Sequence, residues 1–274
     1  PEFSRRFRSN VERFGLTPTA YGAYADPFML PDRSLTPDEA FEYMLPQMHS
    51  AAELGFPVVR LQAFSDIAAE RLLPVAERLG LRMGYELHVP LMIDAPRTQE
   101  LIRQVESFAS PHLGLVPDAG IFARRISIRI LEQARRDGIP EHVLTLALRL
   151  WDAHTPIDDA LAQLTAADPH PAILTWAGMV WDHFGWSAPE ELERIARHVI
   201  HVHGKFYEMV DGDEPTVLYE RMTHALMRIG YRGWLSSEYE GSLDVVEGRD
   251  TFALVQAHQQ MIRRYMGTFG LKPR

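Results

Sequence analysis

The sequence predicts an α/β barrel of the (β/α)8 type, and three observations carry that prediction. Short β-branched runs alternate with longer helical patterns, as in βαβ units built around a parallel sheet. The length of 274 residues is close to the roughly 250 that one such barrel occupies, so a single domain over residues 1–274 suffices. Polar, chemistry-bearing residues also gather at the carboxyl ends of four of the runs, where this architecture builds its sites.

Taken in order, the chain opens in a helical pattern over residues 3–14 with no strand before it. Strands are predicted over residues 17–25, 57–63, 82–89, 113–118, 199–205 and 233–238, with a weaker candidate at 172–176. That count of six or seven falls short of the eight a barrel needs, which predicts that one or two strands lie upstream of Pro1. Thr36-Pro37-Asp38-Glu39 starts a helix, with Thr36 as N-cap, Pro37 in the first turn and Glu39 reaching back. Phe41, Met44, Leu45, Met48 and Ala52 follow at helical spacing and predict its buried face, and Pro46 predicts a kink. Ser187, followed by Pro189 and Glu190, caps the helix leading to residue 199. Gly230 closes the helix before the 233–238 strand, and Phe252, Val255 and Met261 mark the apolar face of a last helix. Between Asp118 and Val199 lie roughly eighty residues, where a βα step takes about thirty. The segment at about 124–196 is therefore read as a helical insert, rich in aromatics at Trp151, Trp176, Trp181 and Phe184, acting as a lid or a contact surface.

Composition narrows the function. A net charge of −9, from 37 acidic against 28 basic residues with no basic stripe, argues against a nucleic-acid partner. There is no cysteine, so disulfides, thiolate catalysis and Cys-ligated metals are excluded, and any metal must be held by carboxylate and imidazole. The same absence suits a reducing cytoplasm, and neither a signal peptide nor a membrane-length apolar run is found.

The strand ends read Tyr85-Glu86-Leu87-His88, Val116-Pro117-Asp118, His201-Val202-His203-Gly204-Lys205 and Ser236-Ser237-Glu238-Tyr239-Glu240. Because strand side chains alternate faces, Glu86 shares a side with His88, and His203 shares one with His201 and Lys205. Glu86, Asp118, His203 and Glu238 can then converge from four strands. Three buried carboxylates repel one another unless a cation or protons neutralise them. Such an oxygen-rich set suits manganese first, or magnesium or cobalt, better than a structural zinc, and leaves positions for vicinal oxygens of a sugar. Each residue also has a plain structural reading. A strand-end carboxylate can be a helix cap or salt-bridge partner, His201 a core histidine bonded to backbone, Lys205 a partner of Glu208, and Glu240 a surface acid. His49, His142, His154 and His258 fall on helical patterns as solvated faces, and Trp176, Trp181, Phe184 and Trp186 read as core or as the lining of an aromatic pocket.

The quartet Glu86, Asp118, His203, Glu238 resembles, in order and spacing, the metal-binding Glu, Asp, His, Glu set of xylose-isomerase-like TIM-barrel sugar epimerases. The long insert departs from the simple epimerases, as does Ile121, which stands where those enzymes carry a substrate-binding histidine. The stretches at 16–19 (LTPT), 200–209 (IHVHGKFYEM) and 235–241 (LSSEYEG) are similar to the large catalytic subunits of bacterial C-glycoside deglycosidases. That resemblance implies cleavage of the carbon–carbon bond of 3-oxo C-glycosides made beforehand by an oxidoreductase. It also implies a small β-rich partner subunit, hence a hetero-oligomer. In such chemistry a 3-keto group acidifies the proton on sugar C2. His88 would act as base or acid, and Lys205 or His201 would bind the sugar or stabilise charge. A sugar isomerase or epimerase working through an enediolate would use the same quartet. An abasic-site endonuclease of this barrel type would need more histidine ligands and a basic surface, and a scaffold that has lost catalysis would hold no metal.

Overall fold

A computed structural model describes residues 2–25, 30, 32–62, 69–240 and 250–268. Four parallel strands pair in chain order: β1 (Ala20–Ala23), β2 (Val58–Leu61), β3 (Arg82–Leu87) and β4 (Leu113–Pro117). Two more, β5 (Val202–Phe206) and β6 (Leu235–Tyr239), form a second parallel pair. Parallel bridges from Leu115 to Val199 and from Asp118 to His203 join the two sheets, so the six strands make one continuous wall. All six strongest strand predictions correspond to these elements, though Val199 contributes only an isolated bridge and β5 proper begins at Val202. Ala63 and Gly241 lie outside the described residues.

Helices cover the outer side. They are α1 (Glu2–Arg13), α2 (Pro37–Leu54), α3 (Ala69–Leu79), α4 (Pro96–Phe108), α5 (Ile128–Arg136), α6 (Glu141–Asp152), α7 (Ile157–Ala167), α8 (Ala172–His183), α9 (Leu192–Ile195), α10 (Tyr219–Arg228) and α11 (Thr251–Thr268). Helix α2 begins as its sequence dictates: the Thr36 hydroxyl accepts from Glu39 N–H, and the Glu39 carboxylate accepts from Thr36 N–H. Met44, Met48 and Ala51 are fully buried on its inner face, each methionine contributing about 2 kcal/mol of burial. The helix continues through Pro46.

Four expectations change. Residues 172–176 are not a strand but the first turns of α8, since Ile173, Trp176, Ala177, Val180 and Trp181 are buried at helical spacing. The cap before α9 is Ala188, backed by Glu191, while the Ser187 hydroxyl accepts from Ile93 N–H at 3.2 Å. Phe252 is 83% exposed and takes no part in the face of α11. His258 occupies that face instead, fully buried and stacked on Phe206 at 4.2 Å.

Inside the wall the strands build two levels. Val58, Val116 and Ile200 form a small apolar floor, distinct from the main core between wall and helices. Ile200 fits because Gly84 and Gly114 leave it room: a Cβ on Gly114 would lie 2.5 Å from Ile200 Cγ2. One inward position further along β2, β3 and β4 come Arg60, Glu86 and Asp118, and His203 on β5 bridges to Asp118 at the same level.

Candidate metal centre and active site

Glu86, near the end of β3, and Asp118, one residue past β4, are buried, and Asp118 is fully so. His203 and Lys205 come from β5, and Glu238 from β6 opposite Lys205 in register. One ligand-type atom from each of Glu86, Asp118, His203 and Glu238 lies within 4.8 Å of the others. The four strand-end residues singled out in the sequence are thus brought together. His203 Nδ1 is 2.7 Å from Glu86 Oε1 and 3.4 Å from Glu238 Oε2. Both contacts are ion pairs, and neither satisfies Nδ1 as a hydrogen bond. Asp118 Oδ2 and Glu238 Oε2 are likewise buried and without one, while Asp118 Oδ1 accepts from Gly120 N–H at 2.7 Å. Three orphaned buried donor atoms on converging side chains are what a bound cation would satisfy.

Two cations flank the quartet. Lys205 Nζ stands 2.9 Å from Glu240 Oε1, 3.5 Å from Asp118 Oδ2 and 3.8 Å from Glu238 Oε2. Lys205 therefore pairs with Glu240, not Glu208, and Glu240 belongs to the site instead of the surface. Glu208 faces Arg125 and Thr216. Arg60 is 5% exposed, its Nη1 3.2 Å from Glu86 Oε2 and its Nη2 donating to the Tyr24 hydroxyl at 3.2 Å. Four carboxylates against two permanent cations leave a formal excess of two negative charges, which one divalent ion balances.

Protonation follows the same balance. Burial penalises the charged form of His203, but the Glu238 and Glu86 carboxylates outweigh it and raise its pKa to about 9. Burial lifts Asp118 well above the usual carboxylate range; Lys205 opposes this, and Glu238 and Glu86 reinforce it. Burial also opposes ionisation of Glu86 and Glu238, yet His203 with Arg60 holds the first, and His203 with Lys205 the second, below the ordinary value. Lys205 is raised, its burial outweighed by Asp118, Glu238 and Glu240. The proton on His203, with the raised proton affinity of Asp118, offsets part of the excess negative charge.

Three histidines surround this centre. His201 is fully buried; its Nε2 bonds the Ser236 hydroxyl at 2.8 Å, and burial with the neighbouring His203 lowers its pKa to about 4. Its partner is thus a side chain and not backbone. His88 is half-buried and donates from Nδ1 to Val89 O at 2.7 Å, which leaves Nε2 as the basic atom. Burial first, then Lys205, lowers its pKa, keeping it a neutral base. The third, His183, ends α8 and faces His88 with ring centroids 5.7 Å apart.

Among solved structures, a D-tagatose 3-epimerase-like protein superposes with a TM-score of 0.54 at 13% identity, over 98% of this chain and 84% of that one. Fold and ligand-type geometry together define the class, a xylose-isomerase-like TIM barrel with a four-residue acid–histidine centre. No protein-family model matches the chain. It is 36% identical over 284 residues to the 3'-dehydrocarminate deglycosidase alpha subunit of a Microbacterium species, covering 97% of this chain and 80% of the relative. It is 30% identical over 270 residues to a C-glycoside deglycosidase alpha subunit of Arthrobacter globiformis, covering 96% and 77% respectively. The chain belongs to the C-glycoside deglycosidase alpha-subunit family.

Proposed function

We propose that this chain is the catalytic subunit of a metal-dependent C-glycoside deglycosidase that splits the carbon–carbon glycosidic bond of 3-oxo C-glycosides by elimination. The observation that carries the reading is the quartet with its three orphaned donor atoms and charge excess of two, beside His88, whose Nδ1 is committed to Val89 O. Glu86, Asp118, His203 and Glu238 would hold one divalent ion, manganese first, with magnesium or cobalt as substitutes. Bound there, the ion supplies Lewis-acid stabilisation of negative charge on a carbonyl oxygen.

The protein's own groups then divide the work. His88 Nε2 takes the proton from sugar C2, acidified by the 3-keto group, and its Nδ1 bond to Val89 O fixes the ring in the right tautomer. Lys205 stands among Asp118, Glu238 and Glu240, the last two part exposed, and offers an ammonium to sugar hydroxyls or to the developing negative charge. His201, just before β5 and bonded through Nε2 to the Ser236 hydroxyl of β6, is the alternative to Lys205 for binding the sugar or stabilising charge. Residues 124–196 are read as an insert within one barrel domain. The relatives' description as alpha subunits supports a partner, for which we take a small β-rich subunit in a hetero-oligomer. No described helix is long and apolar enough to cross a membrane, and the cysteine-free chain suits a cytoplasmic enzyme.

The test is elemental analysis followed by incubation, with the partner subunit, of a 3-oxo C-glycoside. Near-stoichiometric divalent metal and released aglycone are expected, and His88→Asn should abolish release with metal content unchanged. Rearrangement of free sugars without aglycone release would replace this reading with an isomerase. Turnover by His88→Asn would remove His88 from the mechanism.

A further inference from the structure

The helical segment between β4 and β5 brings His183 to the site. His183 ends α8, and the main chain after it is stitched to the turn that follows Asp118. Gly185 N–H donates to Gly120 O at 2.9 Å, Ser187 N–H to Ile121 O at 2.8 Å, and the Tyr207 hydroxyl to His183 O at 2.5 Å. The approach tolerates no side chain on either glycine. A Cβ on Gly120 would lie 2.8 Å from Asp118 Oδ1 and 3.0 Å from His183 O, and one on Gly185 would lie 2.8 Å from Ile121 Cα. The segment is thereby docked against the loop carrying one of the quartet carboxylates.

Docking sets the His183 ring edge-on to His88, at 5.7 Å and 84°. The two imidazoles are hydrogen-bonded alike. Each donates from Nδ1 to a main-chain carbonyl, His88 to Val89 O at 2.7 Å and His183 to Met179 O at 2.9 Å, so each keeps Nε2 for chemistry. Asp182 Oδ2, 3.9 Å from His183 Nδ1, supplies a counter-charge when that ring carries two protons. The elimination has two proton sites, sugar C2, which loses one, and the aglycone carbon, which gains one; the protein sets two imidazoles in edge contact, each with Nδ1 committed to a main-chain carbonyl.

We propose that His183 is a second catalytic imidazole of this site, the one that protonates the departing aglycone carbon while His88 takes the C2 proton; the assignment rests on the deglycosidase reading above. In the first step the C2–H bond breaks, its proton goes to His88 Nε2, and its electron pair forms a C2=C3 enolate. In the second, C3=O re-forms, C1=C2 forms, and the bond from C1 to the aglycone breaks with its pair on the aglycone carbon. That carbon takes the proton from His183 Nε2. His88 ends with one proton more and His183 with one fewer, and a single transfer between the adjacent rings, directly or through water, resets both.

The test uses the metal-loaded enzyme with its partner subunit, a 3-oxo C-glycoside and D2O. His183→Gln and His183→Ala should keep wild-type metal content and still exchange the C2 hydrogen for deuterium, while aglycone release falls about 10²- to 10⁴-fold. Added imidazole should restore part of the release in His183→Ala. Release within threefold of wild type in both variants overturns the proposal, as does parallel loss of exchange, release and metal, which would mark a structural role. A wild-type enzyme that releases no aglycone sinks the deglycosidase reading itself, whereas an active wild type with active His183 variants sinks only this assignment.

Discussion

Loading the centre with metal should expel protons, and the number can be worked from the side chains. A ligating imidazole must be neutral and a ligating carboxylate ionised. In the metal-free cluster His203 has a pKa raised to about 9, so at pH 7 roughly 99% of it is protonated. Asp118, fully buried, is held well above its usual range and adds up to one more proton. Manganese binding at pH 7 should therefore release between one and two protons. The sign follows: the metal-free state holds protons up to about pH 9 and the loaded state does not, so affinity rises with pH and levels off above that point. Each proton displaced contributes about a tenfold gain in affinity per pH unit, or about 1.4 kcal/mol. Titration calorimetry on chelator-treated protein, in buffers of different ionisation enthalpy at two pH values below 9, counts the protons directly. Zero protons with a pH-independent dissociation constant would refute the claim that His203 and Asp118 hold protons against the same three carboxylates that bind the ion.

Two further predictions concern the supports of the site. Arg60→Leu removes the cation 3.2 Å from Glu86 Oε2 and leaves that buried carboxylate with His203 as its remaining cationic neighbour; metal-free protein should lose about 3 kcal/mol in denaturant unfolding, and metal should recover part of it. If loss and recovery are both absent, Arg60 does not balance Glu86. Gly114→Ala drives a methyl to within 2.5 Å of Ile200 Cγ2 and 2.6 Å of His198 O, and should cost about 1–3 kcal/mol. An unchanged unfolding midpoint would mean that the apolar floor is loosely packed.

Much of this was legible before any coordinates. The strands announced themselves by β-branched runs, and alternation along them placed Glu86, His203 and Glu238 on the inward side. Alternation also held a signal that went unread: Glu240 shares its parity with Glu238, which pairs in register with Lys205, so the Lys205–Glu240 contact followed from the strand itself. Arg60 was similarly visible as a lone cation in the run Val58-Val59-Arg60-Leu61, on the same face as Val58. His258 lies three residues after Val255 and three before Met261, on the face assigned to the core. Residues 172–176 misled because a short apolar run suits a buried strand or a buried helix equally. His183 had no local signal: its meeting with His88 depends on main-chain bonds to Gly120 and Ile121, more than sixty residues away in sequence.

Those main-chain bonds have an evolutionary consequence. A segment anchored on its inner side by peptide groups, two glycines and the Tyr207 and Ser187 hydroxyls can exchange its outward residues without loosening the acid–histidine centre beneath it. Sequence drift should therefore concentrate on the solvent side of α5 to α8 and spare Gly120, Gly185 and the turn that follows Asp118.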